Sequence, residues 1–159
     1  RAAMKTADQA FRDNKARAAA ASSRRRTKPC YLGVPAIFKL DIACMTLHQA
    51  FCICAGNSGI YLVGSALDRQ DFRDVDVVCM LDDKEFAQLF PDAHFGDNNG
   101  SFELDPRWRI LTVAISDWLA LQIGMPVDFK FQPTGFGNAR HSGRRHPLGL
   151  RTVPRRQED

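Results

Sequence analysis

Three aspartates stand where strand patterning calls for apolar or neutral side chains: Asp74, Asp76 and Asp128. Successive side chains of a strand point to opposite faces, so Asp74 and Asp76 share one face of the segment 74–81 while Val75 and Val77 take the other. Two like charges held side by side repel unless a cation lies between them, and hard carboxylate oxygens are the ligands Mg²⁺ prefers. Asp128 projects from a second segment by the same alternation, with Val127, Phe129 and Phe131 on one side and Asp128 and Lys130 on the other. On neighbouring strands the three carboxylates would hold one or two Mg²⁺ ions and orient an attacking hydroxyl against a nucleotide phosphate. Gly64-Ser65, between a short apolar segment and a polar turn, offers backbone N–H groups and a hydroxyl to phosphate oxygens. Arg69, Arg73 and Lys130 are the nearest basic side chains in sequence and the candidates for further phosphate contacts.

These residues need elements to carry them. Ile37, Leu40, Cys44, Leu47, Phe51 and Cys54 recur at helical spacing after Pro35, which predicts a helix that ends near Gly56. Gly59–Val63, bounded by glycines, reads as a buried strand, and 74–81 as a second. Asp82 with Glu85 resembles a capping box that opens a short helix through Phe90, closed by Pro91. Asp105 as N-cap, Pro106 at the first helical position and Trp108, Leu111, Ile115 and Trp118 predict the longest helix, with Gly124 at its end. Residues 126–131 form the last strand. Beyond Gln132 glycine and arginine dominate and the patterning fades.

The organisation expected is therefore a basic, flexible or helical arm over 1–30, a folded domain over 31–134, and a basic tail over 135–159. The 159 residues suffice for one core. A net charge of +4 hides a segregation. Residues 1–30 carry nine Lys/Arg against two Asp, residues 139–159 six Arg against two acids, and the stretch between has a net charge of −7. An acidic body argues against duplex binding by the domain itself, whereas the arms have the chemistry to meet nucleic-acid phosphates. Apolar runs break well before the roughly 18 residues a membrane span needs, so no membrane helix is expected. Five cysteines, an odd number mostly within apolar patterns, suit reduced thiols and a cytoplasmic location.

The run Gly64-Ser65, eight residues, then Asp74-Val75-Asp76-Val77, with an apolar-flanked Asp128 about fifty residues later, resembles the nucleotidyltransferase superfamily typified by DNA polymerase beta, its small stand-alone members above all. The resemblance spans residues 35–132. It implies an α/β (α+β) fold, a small mixed β-sheet packed with helices. It also implies that the Gly-Ser turn contacts a triphosphate, the paired acids bind metal, and the third acid completes the metal site and activates an acceptor hydroxyl. The expected activity is Mg²⁺-dependent transfer of a nucleoside monophosphate from a nucleoside triphosphate, ATP among them, to an unidentified acceptor. In three respects the sequence departs from the pattern: the gap between Ser65 and Asp74 is at the short end for the family, Arg73 stands where small members often have Ser or Thr, and no separate helical domain follows Asp128.

Two other readings compete. A catalytically inactive module would keep the fold and dock on nucleic acid or a protein partner through the basic arms. Alternatively, the paired acids are an ordinary solvent face. Cys44, His48 and Cys52 imitate a zinc site at helical spacing, but the helix turns by about 80° over eight residues, so core thiols are expected. Gly135-Phe136-Gly137 lacks the third glycine and the following strand of a dinucleotide loop.

Overall fold

The computed structural model describes residues 30–51, 58–94, 101–140 and 143–150. Within them the order is α1 (Val34–Ala50), β1 (Gly59–Val63), a 3-10 turn (Ser65–Leu67), β2 (Val75–Leu81), α2 (Asp83–Leu89), a second 3-10 turn (Phe102–Leu104), α3 (Pro106–Ile123), β3 (Val127–Pro133), α4 (Thr134–Arg140) and β4 (His146–Leu148). The four strands form one mixed sheet in the order β3-β2-β1-β4. β1 runs antiparallel to both β2 and β4, while β2 and β3 are parallel. A parallel pair needs a crossover, and α2 and α3 supply it. The expected small mixed sheet packed with helices is the architecture found. No described helix is long and apolar enough to cross a membrane.

Alternation sorts the sheet into two faces. Val75, Val77 and Cys79 of β2, with Phe129 and Phe131 of β3, are fully buried, and α1 and α3 pack together on that side. Trp108, Ile115, Leu119 and Ile123 of α3 are buried, as are Leu40, Cys44 and Leu47 of α1. Phe86, Phe90, Phe102 and Phe131 meet in tilted and edge-on pairs at centroid separations of 5.0–5.6 Å, contacts worth about 0.5–1.5 kcal/mol each beyond their buried area. α3 also closes the outer edge of β3: Ser116 Oγ accepts from Phe129 N–H at 3.0 Å, and Trp108 Nε1–H donates to Phe131 O at 3.0 Å.

The caps explain the helix boundaries. Asp105 is fully buried, and its Oδ1 accepts from Arg107 and Trp108 N–H at 2.8 and 3.0 Å. Its Oδ2 accepts from Asp92 N–H at 3.0 Å, tying the preceding loop to the helix start. Gly124 ends α3 at φ 72°. Asp82 caps α2 through Lys84 N–H at 3.0 Å, but the capping box is only half formed. Ser58 takes the other half, because its Oγ accepts from Asp82 N–H at 3.0 Å and donates to Glu85 Oε2 at 3.5 Å. α1 stops at Ala50, short of the expected end near Gly56, and Cys54 and Gly56 lie outside the described residues.

A second difference concerns the stretch after 134, expected to be a basic tail. It folds onto the domain. Thr134 Oγ1 donates to Leu81 O at 2.8 Å and Gly135 N–H to Asp83 Oδ1 at 2.8 Å, which docks α4 on the end of β2 and the start of α2. β4 then pairs Ile60 with Leu148 and Leu62 with His146. His48 Nε2 lies 3.0 Å from Leu148 O, so that nitrogen carries the proton and donates. Pro147 removes a donor from this edge strand and Asp41 Oδ1 takes Gly149 N–H at 2.7 Å, which blunts the edge against further pairing. The arm expected over 1–30 lies outside the described residues except for Cys30, as do residues 151–159.

Candidate functional site

The site is built where three chain segments meet at one end of the sheet. Val63, the last residue of β1, is opposite Asp76 in the antiparallel register. The chain then turns at Gly64, whose φ of 71° and ψ of −156° fall in a region essentially restricted to glycine. A Cβ there would overlap the Asp76 carboxylate. Glycine thus lets the backbone pass directly against the acid, and Ser65 N–H donates to the Asp76 side chain. Buried Ala66 and Leu67 anchor the turn from below, and Tyr31 N–H donates to Ala66 O at 2.7 Å.

β2 and β3 supply the acids. Their parallel register pairs Asp76 with Asp128 directly, one strand spacing of about 4.8 Å apart. Both side chains lie on the face away from α1 and α3, because Val75, Val77 and Phe129 between them are fully buried. Asp74 sits just before β2 begins and is exposed. Burial pushes the Asp76 carboxyl above its ordinary pKa, and the charges of Asp74 and Asp128 push it further. Lys130 and Ser65 N–H pull the other way without overcoming the rise. Asp76 is therefore a carboxylate short of positive charge.

Lys130 meets part of that shortage. It lies two residues beyond Asp128 on the same face, and its Nζ is 2.7 Å from Asp128 Oδ2, with both side chains substantially exposed. Among the described residues no group of three His, Cys, Asp or Glu side chains stands ready as a metal-ligand set. The donor chemistry nevertheless fits a hard divalent cation, since the carboxylates of Asp76 and Asp128 face each other across adjacent strands and the charge of Asp74 also acts on Asp76.

Gly64, Ser65, Asp76, Asp128 and Lys130 are thus brought together, with Asp74 close enough for its charge to act on Asp76. Two of the expected phosphate contacts have no such placement. Arg69 pairs with Asp71 at 3.5 Å across an exposed turn, and Arg73 is an exposed residue before β2. Arg144 was not anticipated. It reaches back from the approach to β4 to Leu67 O at 3.3 Å and Asp68 Oδ1 at 3.4 Å, at the end of the turn that Ser65 opens. Nothing in its Gly- and Arg-rich surroundings marks it. The Lys130–Asp128 pair did leave a signal, because alternation puts residues two apart on one face.

Compared with known proteins, the chain matches no family model, no curated protein and no solved structure. Cys44 and His48, which imitate a zinc pair in sequence, have structural roles. The Cys44 thiol is fully buried and pushed up to about 12 by burial and by Asp41, and His48 holds β4. Cys52 lies outside the described residues. A cleft lined by Ala50, Phe51, Leu81 and Glu85 lies at the opposite end of β2 from the acids.

Proposed function

We propose that the chain is a metal-dependent nucleotidyltransferase, moving a nucleoside monophosphate from a nucleoside triphosphate to an acceptor hydroxyl with release of pyrophosphate. The observation that carries this reading is the direct opposition of Asp76 and Asp128 beside a glycine turn that only glycine can make. Asp74, Asp76 and Asp128 would hold Mg²⁺, one ion or two, and when bound the metal would neutralise triphosphate charge and polarise the phosphorus being attacked. Asp128 orients the acceptor hydroxyl and takes its proton as the oxygen bonds to the α-phosphorus. The bond to the bridging oxygen breaks, and pyrophosphate leaves with the electron pair. Gly64 and Ser65 bring backbone and hydroxyl groups to the phosphates, and Lys130 supplies a cation on the same face.

The basic segments at either end would serve to draw in a nucleic-acid acceptor, a sequence-independent attraction that weakens with salt. The buried cysteines without disulfides among the described residues, Cys30, Cys44 and Cys79, support a reducing, cytoplasmic setting. The Lys130–Asp128 ion pair favours a second reading, an inactive module of the same fold, because it already supplies charge neutralisation without metal. One experiment separates them. The protein is incubated with each labelled nucleoside triphosphate, Mg²⁺ and candidate acceptors, beside Asp76→Asn. Pyrophosphate release by the parent alone supports transfer; equal release by both removes the catalytic reading.

A further inference from the structure

Lys130 occupies an unusual place for a phosphate ligand. Its ammonium is 2.7 Å from Asp128 Oδ2, the acid opposite Asp76, and its charge also acts on Asp76. A divalent cation shared by Asp76 and Asp128 would meet that ammonium as a like charge at close range. Lys130 has room to leave, since its side chain is 46% exposed and hangs from an edge strand. What would draw it away is a polyanion arriving beside the same acids.

We infer that Lys130 is a positioning residue that couples the two ligands of the site: it holds Asp128 while the site is empty and transfers to the triphosphate when metal and nucleotide arrive together. This rests on the nucleotidyltransferase reading. The empty site then disfavours metal alone, because Lys130 already satisfies Asp128, and disfavours triphosphate alone, because three carboxylates repel it. Each ligand removes the obstacle to the other. Coupling of this kind is reciprocal, so triphosphate raises metal affinity by the same factor as metal raises triphosphate affinity.

The test uses Mn²⁺ and inorganic triphosphate, which needs no knowledge of the base, with the parent protein, Lys130→Met, Lys130→Arg and Asp76→Asn. Free Mn²⁺ is followed by electron paramagnetic resonance and triphosphate by calorimetry. Lys130→Met should bind Mn²⁺ alone about fivefold more tightly than the parent, the scale of one partly exposed ion pair, and triphosphate with Mn²⁺ about fivefold more weakly. Lys130→Arg should restore the parent's pattern. A merely structural lysine would not move the two affinities in opposite directions. Equal Mn²⁺ affinity in the parent and Lys130→Met, with Asp76→Asn weakened, would overturn the coupling alone. Mn²⁺ binding that Asp76→Asn leaves unchanged would overturn both the coupling and the reading beneath it.

Discussion

Asp76 and Asp128 occupy opposed positions on two parallel strands, with a glycine turn pressed against the first and a lysine paired to the second. A folded chain gains nothing from placing two carboxylates this way. Burial raises the cost of ionising Asp76, and the charges of Asp74 and Asp128 add to it.

That cost gives the first prediction. The pKa of Asp76 is raised in the folded state, so its protonated form favours folding: this contribution is full below the ordinary carboxylate range and is lost as pH rises through the raised value. Asp76→Asn should be more stable than the parent at pH 7 without metal, by about 0.5 kcal/mol given the exposure of the site. Mg²⁺ should raise the melting temperature of the parent and leave the variant unchanged. Thermal unfolding with and without Mg²⁺ checks both.

Gly64→Ala tests the turn. The added Cβ is strained by the backbone conformation and overlaps the Asp76 carboxylate, so a loss of about 1–3 kcal/mol is expected in urea unfolding. Ser65→Ala leaves the backbone N–H in place and should cost little stability while lowering turnover.

Asp105 supplies a pH dependence of opposite sign. Burial raises its pKa, but the N–H groups of Trp108, Asp92 and Arg107, with the charge of Arg107, outweigh this and hold the carboxyl below its ordinary value. Its stabilisation is therefore present above the ordinary value, about 3.9, and is lost as pH falls through the lowered one. Asp105→Ala should cost about 2 kcal/mol. Asp105→Asn keeps a capping oxygen, and its stability should be flatter with pH below about 4. Unfolding by denaturant at pH 3 to 7 measures each slope.

The thiols give a chemical prediction. Burial raises Cys44 to about 12, helped by Asp41, and raises Cys79 well above its ordinary value, helped by Cys44. The thiolate is the reactive form, so neither should be alkylated in the native protein at pH 8, and both should react once it is unfolded. Peptide mapping after iodoacetamide treatment reads this directly.

Much of the fold is legible in the sequence where local signals agree. The glycines around 59–63 bound β1 as expected, and Asp105, Pro106 and Gly124 bound α3 as expected, because caps and φ restrictions act within a few residues. Alternation placed Val127, Phe129 and Phe131 opposite Asp128 and Lys130. β4 left no such trace. Three residues carry no period, and what holds them is remote: β1 on one side, with His48 and Asp41 of α1. Ser58 displaced Glu85 from the capping box for the same reason, since only the folded chain brings residue 58 beside 82. In the site, residue types and faces were readable, but the pairing of Lys130 with Asp128 depends on which neighbouring charge lies nearest.

In the proposed site Asp76 and Asp128 share a divalent cation. A crystal grown with Mn²⁺ and inorganic triphosphate tests it most directly. An anomalous peak is expected about 2.1 Å from a carboxylate oxygen of each, with Lys130 turned toward the triphosphate. A peak elsewhere, or the Lys130–Asp128 pair intact with both ligands present at saturating concentration, would contradict it.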